Sequence, residues 1–268
     1  MISISKTNRS LINIIGVPVI ILSIYFVNIF PIMISILIYF CSTEYVSLVN
    51  RLDGKINKWF LLLFNFSALL NSFFSILDFI SLLSIFFVLI FLNEIIFSEV
   101  PNPINCSYYF IGAFWIGYSA SVCLYGVRNL EYGMSFTFIF FISIWICDTF
   151  AYILGSKLGK RKILERISPN KTYVGSFFGL IGSLIAIISF YYYSSYYINM
   201  NIKDILFLTL ILGGISQIGD FSESLYKRRA SIKDTSNILM GHGGFLDRFD
   251  SILFAAPLFY LYIKFMII

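Results

Sequence analysis

Between Ser216 and Ser251 the chain reads SQIGDFSESLYKRRASIKDTSNILMGHGGFLDRFDS, a polar island in an otherwise oily sequence. It carries Asp220, Glu223, Lys227, Arg228, Arg229, Lys233, Asp234, His242, Asp247, Arg248 and Asp250, with the glycine pair Gly243 and Gly244. Carboxylates that can hold Mg²⁺ alternate here with cations that can hold phosphate, and a glycine turn lets backbone N–H groups approach an anion. Asp247 and Asp250 are three residues apart, on one face if the segment is helical, and could hold Mg²⁺ together with phosphate oxygens. Asp220 follows Gly219 at the end of an apolar run and is a third candidate metal ligand. If that helix continues, Glu223, Ser224 and Lys227 share its face, and Glu223 with Lys227 could equally be an ordinary helical ion pair. Arg248 could pair with Asp234 or bind a phosphate. His242 could brace the turn, contact a phosphate or move a proton. The chemistry this mixture suggests is work on a phosphorylated substrate.

Two further polar features stand out. Asp148 interrupts an apolar stretch, where a carboxylate costs about 2.5–3.5 kcal/mol to insert at a helix centre. It is read as a wall of the active site, the alternative being a partner for a neighbouring helix. Ser168-Pro169-Asn170-Lys171-Thr172 opens another apolar segment with residues that satisfy orphan helix N–H groups and favour anions. Taken alone it is a capped helix with an interfacial lysine, and Gly175 and Gly179 would let a second helix approach closely.

The run Ser224-Leu-Tyr-Lys227-Arg228, then Lys233-Asp234, then His242-Gly-Gly-Phe-Leu-Asp247-Arg248-Phe-Asp250 closely resembles the signature of phosphatidate cytidylyltransferases (CDP-diacylglycerol synthases). Tyr226 stands where that pattern usually has an aliphatic residue or Phe, and Met240 where Pro is common. Asp148-Thr149, Ala151-Tyr152, Gly155, Lys157 and Gly159-Lys160 are also similar to the family, as are the Ser-Pro-x-Lys-Thr segment and the pair Glu44-Tyr45. The resemblance spans about residues 144–257. It implies transfer of a cytidylyl group from CTP to phosphatidate, with Mg²⁺ on Asp220, Asp247 and Asp250. Those three and Lys227 would be catalytic. Asp148, Lys171, Thr172, Ser224, Arg228, Lys233, Asp234, His242, Gly243, Gly244 and Arg248 would bind substrates. It further implies a homodimer in a bacterial-type inner membrane. A different lipid phosphate, such as an isoprenoid-ether lipid, is an alternative acceptor. A transporter would distribute its ionisable residues through its helices, whereas these concentrate at one edge.

The elements that must position these residues follow from composition. The 268 residues are 59% hydrophobic and 12% charged, more apolar surface than a soluble domain can bury. Apolar segments at roughly 10–29, 32–49, 59–76, 79–98, 107–126, 134–155, 173–198, 204–220 and 249–268 each approach the span of about 20 residues that crosses a bilayer. The chain is therefore expected to be an all-α polytopic membrane protein of about nine transmembrane helices. It forms one membrane domain, a bundle over 1–133 and a site-bearing half over 134–268. Lys6 and Arg9 precede an apolar run that continues past Pro31 without a small-residue cleavage site, so the first helix is expected to be retained. Lys and Arg cluster in alternate loops, leaving Arg128, Lys203 and Lys264 on the other side, which predicts a cytoplasmic N-terminus and places 156–172 and 221–248 on the cytoplasmic face. The net charge of +5 suggests no nucleic-acid groove. Cys41, Cys106, Cys123 and Cys147 lack metal-ligand spacing and read as buried thiols.

Overall fold

A computed structural model describes residues 15–239 and 243–268. His242, Met240, Lys6 and Arg9 lie outside the described residues. Helices α1 (Ile15–Tyr25), α2 (Phe30–Val49), α3 (Lys58–Phe74), α4 (Phe79–Phe97), α5 (Pro103–Asn129), α6 (Gly133–Leu158), α7 (Tyr173–Ser194), α8 (Ile202–Arg229) and α9 (Leu246–Ile267) follow one another along the chain. Wider π-type turns run through Ala113–Leu124, Leu210–Ile215 and Ile263–Ile267. Among the described residues there is no strand, only an isolated bridge between Lys162 and Thr172.

Among the described residues, seven helices are long and apolar enough to cross a membrane, while the described parts of α1 and α3 are apolar but shorter. Only 17% of the apolar window of α4 is buried, so its Ile80, Ile95 and Phe97 need a lipid or protein environment. The chain is an all-helical polytopic membrane protein. Several boundaries differ from the sequence expectation because capping groups outvote hydropathy. The helix expected from about 107 begins at Pro103, where Asn102 accepts from Ile104 N at 3.0 Å and proline suits the first helical turn. The segment expected to end near 220 continues as helix to Arg229, its last turns polar.

The chain divides into two compact units. One comprises the described residues of Met1–Gly126 with Arg229–Arg248, the other Val127–Arg228 with Phe249–Ile268. In the first, α2, α3 and α5 pack through buried polar contacts: Asn65 Nδ2 donates to Ser42 Oγ (2.9 Å), and Tyr45 OH to the Tyr108 carbonyl (2.9 Å). Buried Glu94 of α4 accepts from Asn102 N and Asn105 Nδ2, both at 2.8 Å, and fixes the turn into α5. In the second, α6 and α7 lie along each other on a seam of small residues. A Cβ on Gly175 would stand 2.8 Å from the Ala151 carbonyl oxygen and 3.1 Å from Gly155 Cα, so both glycines are needed for this approach. The close helix contact expected of Gly175 and Gly179 is thus made with α6.

Candidate active site

In the second unit the polar turns of α8 face the loop before α7. Lys171 Nζ lies 2.5 Å from Asp220 Oδ2, with 27% and 35% of the two side chains exposed, and 4.3 Å over the Phe221 ring. Ser224 Oγ lies 3.4 Å from Asp220 Oδ1. One turn on, Glu223 and Lys227 form the i, i+4 ion pair, but both are buried rather than solvated. Arg228 donates through Nε to the Ile167 carbonyl at 3.0 Å, tying α8 to the same loop. Gly219 makes room for α9: a Cβ there would meet Phe254 Cβ at 2.6 Å and the Asp250 carbonyl oxygen at 2.9 Å. That approach brings buried Asp250 into electrostatic reach of Asp220, Lys227 and Asp148. Asp148 itself is exposed on α6. Thr172 is buried as the N-cap of α7, its Oγ1 accepting from Gly175 N at 3.1 Å.

In the first unit the loop before α9 is folded around two carboxylates. Asp247 Oδ2 accepts from Gly244 N (2.7 Å), Thr235 N (2.9 Å) and Thr235 Oγ1 (2.8 Å). Gly243 has φ +81°, the left-handed region, and a Cβ there would meet Asp247 Oδ2 at 2.7 Å and Asp234 Oδ1 at 3.4 Å. The second carboxylate is Glu44 of α2, 3% exposed. Its Oε1 accepts from Ser236 Oγ (2.6 Å) and Phe245 N (3.0 Å), and its Oε2 from Thr235 Oγ1 (2.9 Å) and Leu246 N (2.8 Å). Phe40, one turn earlier on α2, stacks on Phe245 at 4.5 Å between centroids. Lys233, Asp234 and Arg248 are exposed.

The expected site residues therefore fall in two groups. Asp148, Lys171, Thr172, Asp220, Ser224, Lys227, Arg228 and Asp250 belong to the second unit; Lys233, Asp234, Gly243, Gly244, Asp247 and Arg248 belong to the first. Among the described residues, no three His, Cys, Asp or Glu side chains are gathered tightly enough to hold a metal ion. The charges still suit one. Within the second unit buried Asp250 lies in electrostatic reach of Asp220, with Lys171 on Asp220 and Lys227 near Asp250. Two carboxylates brought together, one of them buried, are costly unless a cation or proton offsets them.

A model of the cytidylyltransferase family matches residues 7–266. The chain belongs to the cytidylyltransferase family. Among its relatives is the phosphatidate cytidylyltransferase of Staphylococcus aureus (strain COL), 44% identical over 126 residues, which cover 47% of this chain and 48% of that protein. The phosphatidate cytidylyltransferase of Bacillus subtilis (strain 168) is 42% identical over 135 residues, covering 50% and 49%. That of Staphylococcus haemolyticus (strain JCSC1435) is 45% identical over 126 residues, covering 47% and 48%. The chain thus spans about half the length of the curated relatives it matches.

For a member of the cytidylyltransferase family, three polar residues in and around this loop stand out that sequence reasoning did not rank. Glu44 entered only through its likeness to a Glu-aromatic pair, and Thr235 and Ser236 not at all. A signal for Glu44 was present: it is a carboxylate inside an apolar segment, the criterion that singled out Asp148. Nothing local marks Thr235 or Ser236, whose partner lies 191 or 192 positions away.

Proposed function

We propose that this chain transfers a cytidylyl group from CTP to phosphatidate, giving CDP-diacylglycerol and pyrophosphate. The observation that carries the reading is the set of carboxylates and ammonium groups around Asp220 and Asp250, in a chain of the cytidylyltransferase family. A phosphate oxygen of the lipid attacks the α-phosphorus of CTP, a new P–O bond forms, and the bond to the β-phosphate breaks with release of pyrophosphate. The lipid phosphate has its second pKa near about 6 and is largely dianionic at pH 7, so the step needs no strong general base. The obstacle is bringing two polyanions together. Asp220, Asp247 and Asp250 are the residues that would hold Mg²⁺, which would supply charge neutralisation for the triphosphate and the departing pyrophosphate. Lys227, Arg228 and Lys233 stabilise the leaving group. Lys171 exchanges its contact with Asp220 for the phosphatidate headgroup. Asp148 walls the site, and Thr172 holds the start of α7 that presents Lys171.

The arrangement of Lys and Arg supports a cytoplasmic N-terminus and a cytoplasmic active site in a bacterial-type inner membrane, where CTP is available. The family resemblance supports a homodimer. The test is transfer of label from α-labelled CTP into chloroform-soluble lipid by the purified chain with phosphatidate. Label should enter lipid with Mg²⁺, vanish on chelation, and be lost in Asp220→Asn. No label with phosphatidate, but label with an isoprenoid-ether lipid phosphate, would reassign the acceptor; no label with either would overturn the reading.

A further inference from the structure

Glu44 sits in α2, far in sequence from the signature, yet its two oxygens are met by four donor groups from the described residues of the loop. Thr235 and Ser236 enter from one end of the segment and Phe245 and Leu246 from the other. The carboxylate therefore ties Thr235 and Ser236 to Phe245 and Leu246, the residues that directly follow Gly243 and Gly244. Phe245 N and Leu246 N belong to the start of α9, where backbone N–H groups lack intrahelical partners and a side chain of the same segment usually serves them. Here a side chain from another helix does so. A carboxylate offers about four lone-pair directions, which matches the donor set in number. Thr235 Oγ1 lies within hydrogen-bond distance of both Glu44 Oε2 and Asp247 Oδ2, which share its single proton, so displacement of Glu44 moves the group that fixes Asp247. A Cβ on Gly244 would stand 2.2 Å from Glu44 Oε2 and 2.3 Å from Thr235 Oγ1; the glycine is required by this packing.

We infer that Glu44 is a positioning residue for nucleotide binding: it holds the glycine turn and, through Thr235, Asp247 in the geometry that receives the triphosphate. The inference rests on the cytidylyl-transfer reading above. Glutamine is the informative replacement. It preserves volume but turns an NH₂ group toward one of two backbone N–H donors, which cannot reverse their polarity as the Ser236 and Thr235 hydroxyls can.

The experiment varies CTP and phosphatidate separately with the full chain in detergent, as wild type, Glu44→Gln and Ser236→Ala. Glu44→Gln is expected to raise the KM for CTP about 10–100-fold, the range spanned by one lost charge-assisted hydrogen bond. The KM for phosphatidate should change by less than about twofold. Ser236→Ala should move the CTP value the same way by a smaller factor. A purely structural role would reduce the amount of active protein and leave both KM values in place, and that result overturns the inference. If Glu44→Gln does not fold, an unshifted CTP KM in Ser236→Ala overturns it instead. If the wild type transfers no label, the function reading fails. Equilibrium binding of CTP to the full chain then decides: weaker binding in Glu44→Gln and Ser236→Ala supports the positioning role, and unchanged binding overturns it.

Discussion

Lys171 and Asp220 show how little a contact says about purpose. The pair is about one-third exposed on each side, a setting in which an ion pair contributes at most about 1 kcal/mol. Lys171→Met should therefore shift the thermal midpoint slightly, yet reduce label transfer into lipid at least about tenfold if the ammonium group receives the headgroup. Equal activity in the variant would remove Lys171 from the site. Gly244→Ala makes the opposite prediction. Its methyl group collides with Glu44 and Thr235, an overpacking cost of about 1–3 kcal/mol, readable as a lower midpoint. Gly214→Ala is the matched control, because its Cβ would meet only Leu180 Cδ2 at 3.8 Å. Residue types were legible in the sequence where they broke an apolar pattern: Asp148, Asp220 and the basic run around Lys227. Their partners were not. Lys171 and Asp220 are 49 positions apart, and no local rule pairs them. Thr172 illustrates a different gap, since a residue type that binds anions equally caps a helix, and here its hydroxyl is engaged in the cap.

Among the elements, hydropathy located the oily segments, while polar residues set where they start and stop. Asn102 moved the start of α5 to Pro103, and the polar turns of α8 beyond the apolar segment 204–220 carry Glu223 through Lys227. Asp78 caps α4 in the same manner, accepting from Ser81 Oγ at 2.6 Å and Ser81 N at 2.9 Å. Those donors, the hydroxyl foremost, hold its carboxyl below the usual carboxylate range. A depressed folded-state value means the cap's contribution is complete above the ordinary value and is lost as pH falls through the lower one. The Ser81 amide resonance should report that loss on acidification, and Asp78→Asn should abolish the titration. The α6–α7 seam makes a sharper demand. Gly175→Leu should separate the helices and lower the midpoint by several degrees, since the new side chain meets backbone rather than a movable side chain.

At the scale of the whole molecule, membrane character was the most legible property, because 59% hydrophobic residues leave few alternatives. The division into two units was not legible. Residues 229–248 group with the N-terminal helices although they follow α8, and only long-range contacts such as those of Glu44 reveal it. All four cysteines are free and buried. The wild-type chain should therefore resist a membrane-impermeant maleimide until denatured, and a single cysteine introduced at Lys162 should react only from the cytoplasmic side if the proposed orientation holds. The Glu44 contacts also carry a consequence for biosynthesis. Thr235 emerges from the ribosome 191 residues after Glu44, a delay of about 10–40 s at ordinary elongation rates. Throughout that interval α2 must wait in the nascent chain with a carboxylate whose eventual donors have not been made. Burial of that carboxylate among its donors is therefore a late step, completed only once the loop arrives.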